Sequence, residues 1–420
     1  MTLTSKKVCA AIVIAFMVLG TGLTVLSAEN VAAPAAASAV NLTFWHFWGD
    51  PTRQEAVDSV IREFEKQSQA KVTTKILSWT TGRDELLAAL KAGTGPDLFE
   101  LGSDMIAEFY AGAYLYDMAA EVNELKQRYN AWEPVEYGTE IVGVPWILDS
   151  RVVFYNKEML KAAGFDENMP PKTWEQLKVM AKKIHAPEKG VYGFGMNGRD
   201  PNVLYKKVLP FVWSNGGNVL SLDGKSCVIN TKQVKEAIDF YVSLKPFSIV
   251  DNQANLDRMF AEGKIAFWIS GSWLISRIER VSPNMPFGVS MIPVPGKKGK
   301  SVSFAGGDYV VVNKKSVSTK VAAELAKFMC REDNSFYLCQ VLDMFVPAAK
   351  LQFSEKYYEN RPQEKVIVKQ LEHSYAAPKH QKWVEIQKVL EEKIADAIEG
   401  KIVVDKALSE ATVEINELVK

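Results

Sequence analysis

The apolar positions of this 420-residue chain follow two periods, one typical of strands and one typical of helices. The stretch KVTTKIL (71–77) alternates apolar and polar residues and predicts a strand, and DLFEL (97–101) predicts a buried strand. By contrast, TWEQLKVMAKKI (173–184) repeats its apolar residues every three to four positions, which predicts a helix. Predicted strands and helices follow each other from residue 41 onward. This order favours an α/β fold in which helices cover parallel sheets.

Aromatic side chains crowd the end of the first predicted strand, where FWHFW occupies residues 44–48. Successive strand residues point to opposite faces, so these rings cannot all belong to one core. In open α/β sheets, ligands bind beyond the carboxyl ends of the strands. We therefore predict that Trp45, His46 and Trp48 lie beside a ligand cleft, although hydrogen-bonded structure is the simpler role for His46. Asp50 is predicted to cap the following helix, and its carboxylate can also accept a ligand hydroxyl.

The N-terminal segment has the three parts of a secretory signal peptide. Two lysines precede an apolar run over residues 8–20, and small residues follow it. The run is too short to span a membrane. We predict that residues 1–28 form the signal peptide, with cleavage between about 27 and 39, and that the mature protein is periplasmic. Cys9 lies at the start of the apolar run and not after it, so no acylated cysteine is expected.

Composition limits the remaining possibilities. The chain has 50 basic and 50 acidic residues, which gives no indication of nucleic-acid binding. A mature chain of about 380 residues predicts two or more domains. Cys227, Cys330 and Cys339 would remain in it, which is no disulfide framework and leaves one Cys330–Cys339 pair open. No His or Cys pair has ligand spacing, so we expect no metal and no cofactor. We also expect a monomer.

Several motifs carry a family resemblance, in sequence order across nearly the whole mature chain. They include TFWHFWGD, AGTGPDLFEL, YAGAYLYDM, GVPWILDSRVVFYNKEMLKAAG, WSNGGNVLS, FAEGKIAFWISGSWLI and FAGGDYVVVNKKS. No single motif is specific, but their common order is hard to obtain by chance. The chain resembles the extracellular solute-binding proteins of sugar ABC transporters, the group that includes the maltose-binding protein.

The resemblance implies a periplasmic-binding-protein-like fold, with two α/β lobes, a hinge and a ligand cleft between them. The N-terminal lobe would comprise residues 41–149 and 301–345. The C-terminal lobe would comprise residues 150–300 and 346–420. The hinge crossings would lie near residues 149–154 and 296–300, and the lobes would close on the ligand by rotation.

The resemblance also implies roles for individual residues. Asp104 and Asp149 fall where the maltose-binding protein has carboxylates that contact sugar, although Asp104 can equally stabilise a helix dipole. Trp273 follows a cleft-facing strand and is the best candidate for stacking on a sugar ring. The other candidates are rings and turn residues near the expected cleft: Trp146, Trp213, Gly307, Asp308 and Trp383. Three further tryptophans are predicted to serve packing: Trp79, Trp132 and Trp174.

Carbohydrate suits these residue types because a pyranose has an apolar C–H face and a rim of hydroxyls. Aromatic rings can cover the face, and carboxylates can accept hydrogen bonds from the rim. The expected function is therefore capture of a sugar or oligosaccharide and its delivery to the membrane permease, without enzymatic activity. A phosphorylated ligand would favour an Arg cluster, and only Arg151 and Arg199 are candidates.

Two alternatives stay open. The same fold can bind another solute such as a polyamine, because aromatic rings and acids also suit a cation. Less favoured is a secreted glycoside-acting enzyme that uses Asp104 and Asp149 as its carboxylate pair.

Overall fold

The computed structural model describes residues 39–198, 200–296, 299–344, 346–348 and 359–420. The predicted signal peptide with Cys9, Arg199, part of the second predicted hinge crossing and the end of the segment 301–345 lie outside the described residues. Within the described residues, no helix is long and apolar enough to cross a membrane.

Most strands are short and buried on both faces, as expected for sheets covered by helices. The strands are β1 Val40–His46, β2 Ala70–Ile76, β3 Leu98–Gly102, β4 Glu136–Tyr137, β5 Glu140–Ile141, β6 Val144–Ser150, β7 Val152–Asn156, β8 Tyr192–Asn197, β9 Ser248–Asp251, β10 Ile265–Ser270, β11 Phe287–Ser290, β12 Ser303–Val312, β13 Val346–Pro347 and β14 Ser374–Tyr375.

Helices separate most of these strands. They are α1 Pro51–Gln67, α2 Gly82–Ala92, α3 Ile106–Ala111, α4 Ala119–Val122, α5 Lys157–Ala162, α6 Trp174–Ile184, α7 Leu204–Ser214, α8 Lys232–Val242, α9 Gln253–Ala261, α10 Trp273–Val281, α11 Thr319–Cys330, α12 Glu332–Val341, α13 Pro362–Leu371, α14 Trp383–Glu399 and α15 Val404–Leu418.

The predicted helix boundaries have clear causes. Asp50 caps α1 by accepting a hydrogen bond from the Arg53 backbone N–H at 3.1 Å, which confirms its predicted capping role. Thr173 and Gln176 form the capping box of α6. The helix α2 ends at Gly93, whose φ of 74° lies in the left-handed region that favours glycine.

Two large sheets organise the described residues, and β4 and β5 pair in a small third sheet. The first has the order β13-β6-β12-β3-β1-β2, with β14 paired to β12. The second has the order β11-β7-β10-β8-β9. We call the layers built on these sheets the first lobe and the second lobe. The arrangement is mixed α/β with two lobes, as the resemblance implied.

The sheets are not wholly parallel, which corrects the prediction from element order. The strand β1 runs parallel to β2 and β3, but β12 is antiparallel to both β3 and β6. In the second sheet, β7 is antiparallel to β10 and β11. Both exceptions follow a crossing, because a strand that returns from the other sheet enters in the opposite direction.

The chain crosses between the sheets at closely spaced points. Arg151 is the single residue between β6 in the first sheet and β7 in the second. On the return crossing, Ser303 donates its hydroxyl to the backbone carbonyl of Arg151 at 2.5 Å, and the Arg151 N–H donates to Phe304 at 3.3 Å. Two crossings that are hydrogen-bonded side by side give the short connection that a hinge requires.

Candidate ligand-binding site

Asp104 connects the two lobes. It follows β3 of the first lobe, and its carboxylate accepts a hydrogen bond from the Tyr205 hydroxyl at 2.8 Å. Lys206 places its ammonium 3.4 Å from the same oxygen. Both partners lie in the first turn of α7, which packs in the second lobe. Burial by itself would raise the pKa of Asp104, but Lys206 and the Tyr205 hydroxyl outweigh it and hold that pKa below its usual value.

Asp149 and Trp273 meet at the crossing between the lobes. Asp149 is the penultimate residue of β6, forms an ion pair with Arg151, and accepts the Ser272 backbone N–H at 3.1 Å. The Arg151 guanidinium lies 4.8 Å from the centre of the Trp273 ring. The structure therefore brings together three of the residues that sequence reasoning considered separately.

The orientation of Trp273 is fixed by Asp257, a residue that sequence reasoning missed. The Asp257 carboxylate accepts the indole N–H of Trp273 at 2.8 Å and that of Trp268 at 2.7 Å. It also accepts the Ser270 hydroxyl at 2.8 Å and the Gln253 amide at 2.7 Å. Asp257 is the single acidic residue of α9 and lies on its buried side. A charge at a position that faces the core is the sequence signal that could have identified it.

Asp308 and Glu100 add carboxyl groups to the first-lobe wall. The Asp308 Cα is paired with that of Gly102 across the β12–β3 ladder, next to Asp104. Burial, together with the nearby charges of Asp104 and Asp149, raises the pKa of Asp308 to about 7. Burial and the charge of Asp308 also raise the pKa of Glu100 well above its usual value.

Glu100 was not a candidate in the sequence. Its Oε2 accepts the Phe47 N–H at 2.8 Å, whereas its Oε1 is buried without a partner among the described residues. Glu100 is the single charged residue of the buried strand LFELG, and this charge among uncharged neighbours is the signal that the sequence offers for it.

Cations of the second lobe face these acids. Lys206 lies beside Asp104, and Lys207 is 1% exposed with its ammonium 4.9 Å from the centre of the Trp268 ring. Burial and the neighbouring Arg151 lower the pKa of Lys207 well below its usual value. Together with Arg151, these lysines form a group of basic side chains. From the sequence, only Arg151 and Arg199 were candidates for binding an anionic ligand.

Three predicted ligand residues are instead enclosed by packing. Trp146 is fully buried in the first-lobe core, and Trp383 is 1% exposed and edge-on to Tyr205 at 5.7 Å. His46 is fully buried and accepts the Trp48 N–H at 3.3 Å. Burial lowers the pKa of His46 to about 4, so it is neutral at physiological pH. None of the three presents a surface to a ligand in this arrangement.

Trp213 and Gly307 also receive different explanations. Trp213 lies in the last turn of α7, at the opposite end from Lys206, and contacts the exposed Tyr375 ring at 5.6 Å in a surface groove of the second lobe. A Cβ on Gly307 would approach the Ile147 backbone oxygen to 2.7 Å. The close neighbour of this glycine is therefore strand β6, which accounts for the glycine without a ligand.

The remaining rings at the end of β1 diverge, as the alternation of strand side chains requires. Trp48 is 6% exposed, and the Arg53 guanidinium lies 5.7 Å from its ring centre. Arg53 also pairs with Asp343 at 3.1 Å, and Asp343 pairs with Arg280 of α10 in the second lobe at 2.9 Å. Trp48 thus lies near a second connection between the lobes.

Trp45 points elsewhere. The Lys75 ammonium lies 4.0 Å from the centre of the Trp45 ring. Lys75 belongs to β2, which neighbours β1 at the outer edge of the sheet.

No group of three or more His, Cys, Asp or Glu side chains among the described residues is arranged to hold a metal ion.

Several known proteins with similar sequences are named as binding proteins. A putative binding protein of Brucella abortus is 25% identical over 357 residues, covering 82% of this chain and 85% of that protein. The maltodextrin-binding protein of Bacillus subtilis is 24% identical over 389 residues, covering 88% and 89%. The galactooligosaccharide-binding protein of the same organism is 26% identical over 306 residues, covering 69% of each chain.

Solved structures share the fold. An ABC transporter solute-binding protein of Thermotoga lettingae, bound with α-D-tagatose, superposes with a TM-score of 0.81 at 24% identity, covering 91% of this chain and all of that one. The cyclic α-maltosyl-1,6-maltose binding protein of Arthrobacter globiformis gives 0.77 at 23% identity, covering 91% and 99%. The family model for bacterial extracellular solute-binding proteins matches residues 48–335. With more than half of its length in that match, the chain belongs to the bacterial extracellular solute-binding protein family.

Proposed function

We propose that this protein is the periplasmic solute-binding component of an ABC importer and that it captures a sugar or oligosaccharide between its lobes. The observation that carries the proposal is the Trp273 ring, held by Asp257 and Arg151 where both lobes meet. Two similar proteins of Bacillus subtilis are named for maltodextrin and galactooligosaccharide binding, which supports the same ligand class here.

The chemistry of the cleft fits carbohydrate. Trp273 supplies a ring for the apolar face of a pyranose, and Asp104, Asp149 and Asp308 supply oxygens for its hydroxyls. Stacking that buries about 60 Å² of apolar area contributes roughly 1.5 kcal/mol at about 25 cal/mol per Å². Each hydrogen bond to a charged group adds about 1.5–3 kcal/mol. A few such contacts reach micromolar affinity after the losses on association.

Ligand capture would couple to transport through lobe closure. Residues of both lobes already converge on Asp104 and on Asp343. A ligand that contacts both lobes favours the closed form, which the permease can distinguish by shape. We infer that residues 1–28 direct the chain to the periplasm and are removed there.

The alternatives fit the site less well. A polyamine would meet Arg151 beside Trp273 and Lys206 beside Asp104, and like charges disfavour its binding. A glycosidase needs one carboxyl group as an acid and another as nucleophile or base at a fixed separation. Although burial would raise it, the pKa of Asp104 is held below its usual value by Lys206 and Tyr205, which does not suit a general acid. Asp149 is engaged in an ion pair with Arg151.

The test is binding without turnover. Isothermal titration against mono- to tetrasaccharides of glucose, galactose and mannose should identify a ligand, and chromatography should recover it unchanged. Trp273→Ala should weaken its binding by about 1.5–3 kcal/mol, roughly tenfold to more than a hundredfold. Trp174→Ala is the control, because its ring packs on Phe240 at 4.7 Å and should affect stability, not affinity. Release of shortened sugars, or equal affinity of Trp273→Ala and parent, would contradict the proposal.

A further inference from the structure

Trp79 is exposed at the edge of the cleft, contrary to its predicted packing role. It lies in the loop between β2 and α2, at the carboxyl end of β2, and 47% of its surface is accessible. The Phe47 ring stacks beneath it with centres 4.2 Å apart and planes 19° apart. Phe47 is buried at the end of β1. One face of Trp79 is therefore supported, which leaves a fixed aromatic platform rather than a mobile surface ring.

A cavity in front of this platform is lined by both lobes. Trp79 and Asp104 line it from the first lobe, and Asn202 and Gln387 line it from the second. Its volume is about 100 Å³. This is room for roughly three water molecules at about 30 Å³ each, so a sugar ring fits only when the lobes stand further apart.

The second-lobe wall contains an acceptor without a partner. Gln387 is 1% exposed, and its amide nitrogen donates to the Asn202 side-chain oxygen. Its Oε1 is buried and has no hydrogen-bond partner among the described residues. A buried carbonyl oxygen without a donor is costly, and a ligand hydroxyl can supply that donor. Asn202 adopts a left-handed backbone with φ of 63°, held by the Glu391 carboxylate on its N–H at 2.9 Å.

Asp104 joins this cavity to the central site, because it also contacts Tyr205 and Lys206. We propose that the cavity is an outer subsite and that the ligand is an oligosaccharide rather than a monosaccharide. One sugar unit lies at Trp273, and a further unit stacks on Trp79 and donates a hydroxyl to Gln387. This inference rests on the proposed function.

The experiment is a length series measured by isothermal titration. The ligands are the mono-, di-, tri- and tetrasaccharides of whichever series binds in the panel described above. For the parent, affinity should rise by about tenfold or more when the chain becomes long enough to reach Trp79. Trp79→Ala and Gln387→Leu should each remove most of that gain and leave the affinity for the shortest bound ligand within about twofold.

The matched control is Tyr337→Ala, since Tyr337 is an aromatic residue of similar exposure, 42%, and does not line the cavity. It should bind every ligand like the parent. Thermal melting of all variants checks the fold, and Trp79 is exposed enough that its loss should shift melting little. Binding that does not depend on length, or an unchanged length dependence in Trp79→Ala, would overturn the outer subsite while leaving the proposed function intact. Failure of every sugar to bind would overturn both.

Discussion

Replacing Asp257 by asparagine tests how the stacking ring is held. Among the described residues, Asp257 Oδ1 accepts hydrogen bonds from Gln253, Trp268 and Ser270, whereas Oδ2 accepts one, from the Trp273 indole N–H at 2.8 Å. An asparagine that keeps its oxygen on the three-donor side must place an NH₂ group against that indole. The substitution therefore removes one bond selectively and sets two donors against each other.

The expected cost follows from that single bond. A hydrogen bond to a charged group contributes about 1.5–3 kcal/mol, so Asp257→Asn should lower the free energy of unfolding by about that amount. Trp273→Phe keeps an aromatic ring but lacks the N–H, and the double variant measures the coupling. If the bond to Trp273 carries the effect, the coupling energy should also be about 1.5–3 kcal/mol.

The assay is urea unfolding followed by circular dichroism, because replacing a tryptophan changes the fluorescence signal itself. Sugar affinity should fall in Asp257→Asn as well, since the Trp273 ring loses its fixed orientation. Costs of the two substitutions that add to within about 0.5 kcal/mol would refute the reasoning. The carboxylate would then stabilise the second-lobe core without positioning Trp273.

Two further predictions concern titration and thiols. Because the pKa of Asp308 is raised to about 7, the folded chain holds a proton that the unfolded chain loses near pH 4, and stability should fall as pH rises between these values. Asp308→Asn should remove this loss of stability. In urea titrations, the unfolding free energy of the variant minus that of the parent should therefore increase by up to about 4 kcal/mol from pH 4 to 7 and stay level above pH 7. A difference that stays constant between pH 4 and 7 would contradict the raised pKa of Asp308. Cys227 is half-buried and Cys330 and Cys339 are buried, all as free thiols, so a thiol reagent should modify at most Cys227 quickly in native protein and all three after unfolding. Rapid native reaction of more than one of these thiols would contradict their burial.

Residues next to strand ends are the part of the candidate site that the sequence alone can suggest. Asp149 lies near the end of a strand, and Asp104 and Trp273 come shortly after one. The pattern of each strand is visible in a single segment, and the structure places all three residues where the lobes meet. Local periodicity also located the helix caps, because a cap depends on residues within one turn.

The errors have a common physical cause. Whether a ring such as Trp383 or Trp146 faces a core or a cleft depends on side chains far away in sequence, which one segment does not encode. The same limit hid Asp257, whose four donors come from three different elements. For Trp79, the predicted packing role was wrong, because the ring is exposed. The sequence does not show that Phe47 supports one face of this loop residue.

Several polar contacts between the lobes each depend on one side chain, among them Asp104, Asp149 and Asp343, and this suits a protein that must open to admit its ligand. Asp104 supplies one hydrogen bond to Tyr205 and one ion pair to Lys206, and Arg280 reaches Asp343 from a side chain that is 60% exposed. The charged hydrogen bond is worth about 1.5–3 kcal/mol, and an exposed ion pair contributes no more than about 1 kcal/mol. Micromolar binding supplies about 8 kcal/mol, which exceeds these terms together.

A ligand hydroxyl that replaces the Tyr205 hydroxyl on Asp104 would exchange one hydrogen bond for another at little net cost. The empty protein can therefore open readily, whereas the loaded protein gains the stacking and hydroxyl contacts only when both lobes are near. A ligand shifts such an equilibrium only by its difference in affinity for the two states, and contacts to residues of both lobes create that difference. The division of the candidate site between Trp273 and Asn202 in the second lobe and Asp104 in the first is what would make closure depend on the ligand.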